Sequence, residues 1–165
     1  MPVAACGSLG RPLLLVGGEG ERRTLPAAAA FADGVNWQVG VCGFAHKSRV
    51  LAELCESLGR DPATLRRTHA PNFQLFESER EFARWRQDER RGRSSEEVYA
   101  YIRKRGALYG TAFAIEETIE AFVDTGCSGF MVFCNSAPSV DALRMLAELP
   151  SVYHALGGFR LGGSC

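Results

Sequence analysis

The sequence lacks the features that mark membrane, nucleic-acid and metal-binding proteins. No apolar run approaches the roughly 20 residues that cross a bilayer. The 19 basic and 19 acidic residues cancel, so no net positive field collects nucleic acid or anionic lipid. The 6 cysteines form no C-x-x-C pair, and no histidine completes a zinc-ligand spacing. We therefore expect no membrane insertion, no nucleic-acid partner and no metal.

A secretion signal is also missing. Residues 1–9 have neither a basic region nor an apolar stretch of the length that a secretory signal needs. We therefore expect a cytoplasmic protein whose cysteines stay reduced. With 46% hydrophobic and 23% charged residues, the composition is that of an ordinary soluble globular domain.

One basic cluster stands out between positions 84 and 93. Acidic residues interleave with it, which is typical of a solvated helix face and not of a nucleic-acid site. The cluster consists of Arg84, Arg86, Arg90, Arg91 and Arg93.

Short apolar runs recur along the chain and predict strands. The first run is purely apolar and ends at Gly17-Gly18, which favours a strand buried on both faces of a parallel sheet. Pro71 in the third run implies an edge, a bulge or a bend. The predicted strands are Pro12 to Val16, Val35 to Val41, Arg67 to Phe76 and Gly129 to Cys134.

Helical periodicity fills the intervals between these runs. In the last helix, Leu143, Leu146 and Leu149 are expected to face inward. The predicted helices run from Glu21 to the stop at Asp33-Gly34, from His46 to Leu58, from Thr111 to Thr125 and from Ser139 to Leu156.

A charged segment over residues 77–109 interrupts this alternation. It predicts two helices split near residues 91–94, the second capped by Ser94 or Ser95 through Glu97. The whole order predicts an α/β protein with a parallel sheet and right-handed crossovers, in which four strands make half a barrel.

Several motifs resemble the luciferase-like monooxygenase family, in family order. The first is Leu13-Leu-Leu-Val-Gly-Gly-Glu-Gly-Glu-Arg-Arg-Thr-Leu, continuing through Ala32-Asp33-Gly34-Val35-Asn36. Three further segments follow: Leu51 to Thr68 with Gly59-Arg60-Asp61-Pro62, then Tyr109-Gly110-Thr111, then Asp124-Thr-Gly-Cys-Ser-Gly-Phe. All of them resemble the C-terminal half of the family's barrel.

The resemblance implies the fold of half a (β/α)8 TIM barrel, four βα units with a helical insertion after the third strand. The expected organisation is an irregular segment over 1–11, the half-barrel over 12–156 with its insertion at about 77–109, and a flexible tail over 157–165. Nothing in the chain resembles the family's first four strands.

The resemblance also implies a cofactor, either FMN or the deazaflavin coenzyme (F-420). In the family the cofactor phosphate lies near the carboxyl ends of the strands, where glycine-rich loops and helix N-termini offer N–H groups to an anion. The phosphate-binding residues would be Gly17, Gly18, Gly20, Arg22, Arg23 and Thr24.

Each of these assignments has a plainer alternative. The Gly-Gly turn is also typical of a tight strand-to-helix connection, and Glu19 and Glu21 would oppose an anion there. His69 is a weak catalytic candidate at a barrel mouth, but His46, His69 and His154 also fit ordinary hydrogen-bonded histidines.

The resemblance predicts a flavin- or deazaflavin-dependent oxidoreductase acting on a small molecule by hydride transfer or monooxygenation. Because a half-barrel exposes strand edges, we expect a homodimer or pairing with a separately encoded N-terminal barrel half. The alternative is a non-catalytic barrel fragment that serves as a binding or interaction module. Trp37, Phe73 and Phe76 are interpreted as core residues.

Overall fold

The computed structural model describes residues 12–88, 92–134 and 140–149. The predicted irregular segment, the predicted tail, Ser139, His154 and the end of the last predicted helix lie outside these ranges.

Seven short strands and six α-helices make up the described structure. The strands are β1 (Leu15–Gly17), β2 (Gly34–Trp37), β3 (Arg66–His69), β4 (Asn72–Leu75), β5 (Leu108–Gly110), β6 (Gly129–Phe130) and β7 (Phe133–Cys134). The helices are α1 (Thr24–Phe31), α2 (Val41–Ser57), α3 (Glu79–Asp88), α4 (Ser95–Arg105), α5 (Ala112–Asp124) and α6 (Val140–Glu148). A 3-10 turn at Pro62–Thr64 precedes β3.

The strands form two parallel sheets. The first has the order β1-β2-β3-β6, and the second has the order β5-β4-β7. The chain passes from the first sheet to the second at residues 70–71 and again at residues 131–132. The third and fourth predicted strands are therefore each split in two; the bend expected at Pro71 accounts for the third, whereas the split of the fourth was not predicted. β5, three residues long, was not predicted.

Alternate residues of the first sheet face the helices. Val16 and Val35 are register partners, as are Trp37 and His69, and side chains two apart share a face. Trp37 is 1% and His69 0% exposed, and Trp37 packs edge-on against Phe44 of α2. This face, together with α1, α2 and α5, encloses the main core.

The other face of the first sheet is open among the described residues. We call it the open face; it carries Leu15, Gly17, Gly34, Asn36, Arg66, Thr68, Gly129 and Met131. Asn36 and Thr68 join side chains across it, with 3.0 Å between Thr68 Oγ1 and Asn36 Oδ1. Leu15 is 36% and Met131 48% exposed. In a closed (β/α)8 barrel the inward face is packed by layers of side chains.

The prediction that the first strand is buried on both faces is wrong. β1 pairs only with β2 among the described strands, and Leu14 and Leu15 are exposed. An apolar run alone cannot distinguish a central strand from an edge strand, because both read as continuous hydrophobic sequence.

Arg60 binds the carbonyl groups at the C-terminal end of α1, although it lies beyond α2 in the chain. Its guanidinium donates to the carbonyls of Ala29 (2.9 Å) and Ala32 (2.7 Å), groups that the helix itself leaves without partners. A basic side chain also suits the negative end of the helix dipole.

The insertion forms the two predicted helices. Ser94 caps α4 in a complete capping box with Glu97, and Gly106 ends α4 in the left-handed conformation. The prediction of a solvated basic face is wrong for Arg86, which lies half-buried with its guanidinium 4.0 Å from the Tyr99 ring centroid. Arginine stacks readily on aromatic faces, so charge pattern alone did not identify this contact.

The last two helices pack largely as predicted. Ile115, Ile119 and Phe122 of α5 are buried, and Leu149 after α6 is 8% exposed. Leu143 is 43% exposed, so its predicted inward orientation is wrong. Phe73 and Phe76 are buried as core residues, as predicted. In the described ranges, no helix is long and apolar enough to cross a membrane.

Candidate functional site

The glycine-rich loop, residues 18–23, joins the carboxyl end of β1 to α1. Parallel strands carry their ligand sites at this edge. Gly17 is the last residue of β1, and residues 17–23 are all exposed. The predicted phosphate-binding residues are thus adjacent at the expected edge of the sheet.

Gly18 and Gly20 permit the close passage of this loop over Thr24. Gly18 has a φ of 117°, and a Cβ at Gly20 would lie 3.1 Å from Thr24 Oγ1. Side chains are therefore disfavoured at both positions. The absence of side chains leaves backbone N–H groups accessible along the loop.

The N–H groups available to an anion belong to the loop and not to α1. Thr24 N and Leu25 N both donate to the Gly20 carbonyl at 3.0 Å, and Ala27 N donates to the Arg23 carbonyl. Pro26 has no N–H. Within the described residues, the N–H groups of 19–23 have no protein acceptor.

Two arginines stand beside these N–H groups. The side chains of Arg22 and Arg23 are exposed and make no ion pair or hydrogen bond with another described residue. Unpaired cations at the positive end of a helix dipole are unfavourable unless an anion is close. The arrangement therefore suits a phosphate group.

The opposing carboxylate of Glu21 is paired within the protein. Lys47 Nζ lies 3.3 Å and His46 Nε2 3.2 Å from Glu21 Oε1. The Lys47 hydrogen bond is the main cause that lowers the pKa of Glu21. Much of the charge that would repel an anion is thus balanced.

His69 lies in the interior and not at a mouth. Its Nδ1 is 2.9 Å from the Trp37 carbonyl and its Nε2 2.8 Å from the Gly106 carbonyl, and the ring stacks on Phe122. Burial lowers the pKa of His69, and the two carbonyls partly offset this effect. A catalytic role for His69 stays a prediction.

A groove of about 1400 Å³ adjoins the loop. It lies between the start of α2 and the end of α4, and its lining includes Glu19, Cys42, Tyr101 and Arg103. This volume is sufficient for a small molecule. Sequence reasoning missed the groove, because its walls come from helices that are far apart in the chain.

Lys47 was also missed. The side chain of Lys47 is 10% exposed, and a lysine in a helical pattern ordinarily indicates a solvated face. The loop residues fit a phosphate-bearing cofactor through three features: unpaired N–H groups, two free guanidinium groups and the absence of side chains at Gly18 and Gly20. In the described ranges, no cluster of His, Cys, Asp or Glu could hold a metal ion.

Three solved structures are similar to this chain in fold. Coenzyme F-420-dependent tetrahydromethanopterin reductase from Methanopyrus kandleri has a TM-score of 0.62 at 15% identity, over 83% of this chain and 49% of that chain. The long-chain alkane monooxygenase LadA has a TM-score of 0.65 at 14% identity, over 93% of this chain and 43% of that one.

The third is riboflavin lyase, solved with modified FMN and riboflavin. Its TM-score is 0.64 at 12% identity, over 94% of this chain and 46% of that chain. No family model matches the sequence, and no curated protein matches it significantly.

These similarities confirm the predicted fold. The neighbours are luciferase-like monooxygenase structures, and this chain spans about half the length of each. At these sequence identities, the structural similarity supports the fold and nothing further. The chain has the α/β fold of half of a luciferase-like TIM barrel.

Proposed function

We propose that this chain provides the cofactor-phosphate site of a flavin- or deazaflavin-dependent oxidoreductase. The observation that carries the proposal is the glycine-rich loop at the carboxyl end of β1, with its unpaired N–H groups and the free Arg22 and Arg23. The names of similar structures include F-420 and FMN, which supports a cofactor of this class.

Each loop residue has a defined part in this proposal. The N–H groups of Gly18 and Gly20 donate to the phosphate oxygens, and Arg22 and Arg23 neutralise its charge. Thr24 holds the loop to the start of α1 through the hydrogen bond from its N–H to the Gly20 carbonyl. When bound, the cofactor supplies hydride transfer or oxygen chemistry.

The open face supports an assembly larger than this chain. It leaves Met131 and Leu15 accessible, and β1 has an unpaired edge among the described strands. We propose that a second copy or a separately encoded N-terminal half covers this face in the cytoplasm. The groove of about 1400 Å³ would then receive the small-molecule substrate.

Cofactor titration tests the proposal. The full chain is titrated with FMN and, separately, with F-420, and cofactor fluorescence and thermal unfolding are recorded. Binding of at least one cofactor raises the unfolding temperature, because a ligand that binds only the folded state stabilises it. No spectral or thermal change at concentrations well above micromolar would contradict the proposal and favour a non-catalytic binding module.

A double variant tests the site itself. Arg22→Gln with Arg23→Gln weakens binding of the cofactor about a hundredfold or more, since charge-assisted hydrogen bonds to phosphate contribute roughly 1.5 to 3 kcal/mol each. Arg84→Gln, at an exposed position of α3, is the matched control and binds as the wild type does. Equal affinity in all three proteins would exclude the glycine-rich loop as the phosphate site.

A further inference from the structure

Lys47 is a buried lysine that contacts the glycine-rich loop. It lies in the second turn of α2, and its side chain is 10% exposed. A buried ammonium group is unfavourable unless its hydrogens find acceptors. Two of its partners belong to the loop.

The two contacts join a helix to backbone and side chain of the loop. Lys47 Nζ donates to the Glu19 carbonyl at 2.7 Å and to Glu21 Oε1 at 3.3 Å. His46 Nε2 lies 3.2 Å from the same Glu21 oxygen, and Arg49 lies 3.3 Å from His46 Nδ1. A chain of polar contacts thus runs from α2 to residues 19–21.

These contacts fix what the loop presents. The Glu19 carbonyl points to Lys47, and the Glu21 carboxylate is held on the α2 side of the loop. The adjacent N–H groups of Gly20 and Arg22 keep no protein acceptor among the described residues. Residues without internal hydrogen bonds lose more entropy on ordering, so a fixed point in the loop lowers the cost of binding.

We infer that Lys47 is a positioning residue for the cofactor phosphate, an inference that rests on the proposed function. By holding residues 19–21, it sets the loop conformation in which N–H groups, Arg22 and Arg23 converge on one anion. Lys47 itself need not touch the cofactor. Both of its recorded hydrogen bonds are made to the loop.

The first experiment measures the loop without any cofactor. Lys47→Met replaces the side chain by an apolar one of similar length, so the core keeps its packing. Native tryptic cleavage after Arg22 and Arg23 is followed by mass spectrometry, and we expect it to become at least several-fold faster. Lys104→Met, which changes the other lysine of the chain at an exposed site, leaves cleavage unchanged.

The second experiment distinguishes positioning from general stability. Dissociation constants are measured for FMN and for riboflavin, which lacks the phosphate. Lys47→Met weakens FMN about tenfold and leaves riboflavin unchanged, whereas Lys47→Arg restores most of the FMN affinity. A merely structural role would weaken both ligands equally.

The outcomes separate the two proposals. Unchanged tryptic cleavage, or equal loss of FMN and riboflavin, overturns the role of Lys47. If the wild-type chain binds neither FMN nor F-420, the proposed function fails, and the cleavage rate alone decides whether Lys47 holds the loop. Faster cleavage together with a phosphate-specific loss supports both.

Discussion

The two faces of the first sheet differ sharply. The helix-covered face buries Trp37 and His69 almost completely, and three phenylalanine rings, of Phe44, Phe122 and Phe130, contact the imidazole. The open face leaves Met131 and Leu15 exposed, and its polar pair Asn36 and Thr68 lies across the middle. One face of this sheet is thus packed against helices, whereas the other face has no packing layer among the described residues.

This difference shows where the chain is self-sufficient. The covered face is packed by the chain itself, and the ring nitrogens of His69 lie within hydrogen-bond distance of the carbonyls of Trp37 and Gly106, although Trp37 Nε1 has no partner among the described residues. The open face has the residues of a barrel interior without the opposite wall. Stability is therefore expected to depend on the first face, and assembly on the second.

The largest expected effect is a methyl group at Gly106, behind the covered face. Gly106 has a φ of 62°, and a Cβ there would lie 2.5 Å from the Val39 carbonyl oxygen and 2.6 Å from Phe122 Cζ. Gly106→Ala lowers the free energy of unfolding by about 3 kcal/mol through strain and overpacking. Urea denaturation followed by tryptophan fluorescence measures it.

Gly59→Ala is the matched control for that substitution. Gly59 also has a positive φ, 69°, but nothing lies within 4 Å of its Cβ position. Gly59→Ala therefore lowers the free energy of unfolding by only about 1 kcal/mol, which is the cost of placing a side chain at a positive φ. Equal losses at the two glycines would show that the close packing around Gly106 is unimportant.

A smaller effect is expected from His69, and it depends on pH. His69→Leu removes the imidazole N–H that one of the two carbonyls, of Trp37 or Gly106, accepts, at a cost of about 2 kcal/mol near pH 8. Because the folded-state pKa of His69 lies below the ordinary value of 6.5, the unfolded chain binds the proton more readily. The contribution of the neutral His69 to the free energy of unfolding is then fully present above pH 6.5, and it declines as the pH falls below this value.

The difference in free energy of unfolding between the wild type and His69→Leu should consequently become smaller as the pH is lowered from 8 to 5. Urea titrations at several pH values measure this. His46→Gln changes an exposed histidine and keeps the wild-type narrowing. A constant difference across this range would contradict the assignment of the pH dependence to His69.

The smallest effect on stability is expected on the open face. Met131→Asp changes the free energy of unfolding of the isolated chain by less than about 0.5 kcal/mol, as for other exposed sites. It does, however, place an unpaired charge in any interface that covers this face. The mass measured by light scattering should fall from dimer to monomer, or a co-expressed N-terminal half should no longer co-purify.

Phe113→Asp controls for a general change in surface charge. Phe113 is 71% exposed and belongs to α5, on the covered side of the sheet. The variant is expected to keep the wild-type assembly. If Met131→Asp and Phe113→Asp had the same mass as the wild type, the open face would not be the interface.

Much of the fold follows from local sequence. Gly126 after α5 and the Ser94 capping box act within a few residues, so the elements they bound were predicted correctly. The burial of β1 was predicted incorrectly, because it depends on which strands lie beside β1. β5 was missed because three residues give no periodicity to detect.

The candidate site divides in the same way. Gly18 and Gly20 stand out in the sequence because glycine has a distinct backbone preference. Lys47 does not, since it is 26 residues from Glu21 and only the packing of α2 against the loop brings them together. The interior location of His69 likewise depends on contacts with Gly106, 37 residues away.

Arg60 has a consequence for the order in which the chain acquires structure during synthesis. It supplies the partners for the last carbonyls of α1 from 31 and 28 residues further along. Translation delivers residues from the N-terminus at about 5 to 20 per second. Arg60 is therefore synthesised a few seconds after the end of α1. Its two hydrogen bonds to α1 can form only after the whole of α2 has been synthesised.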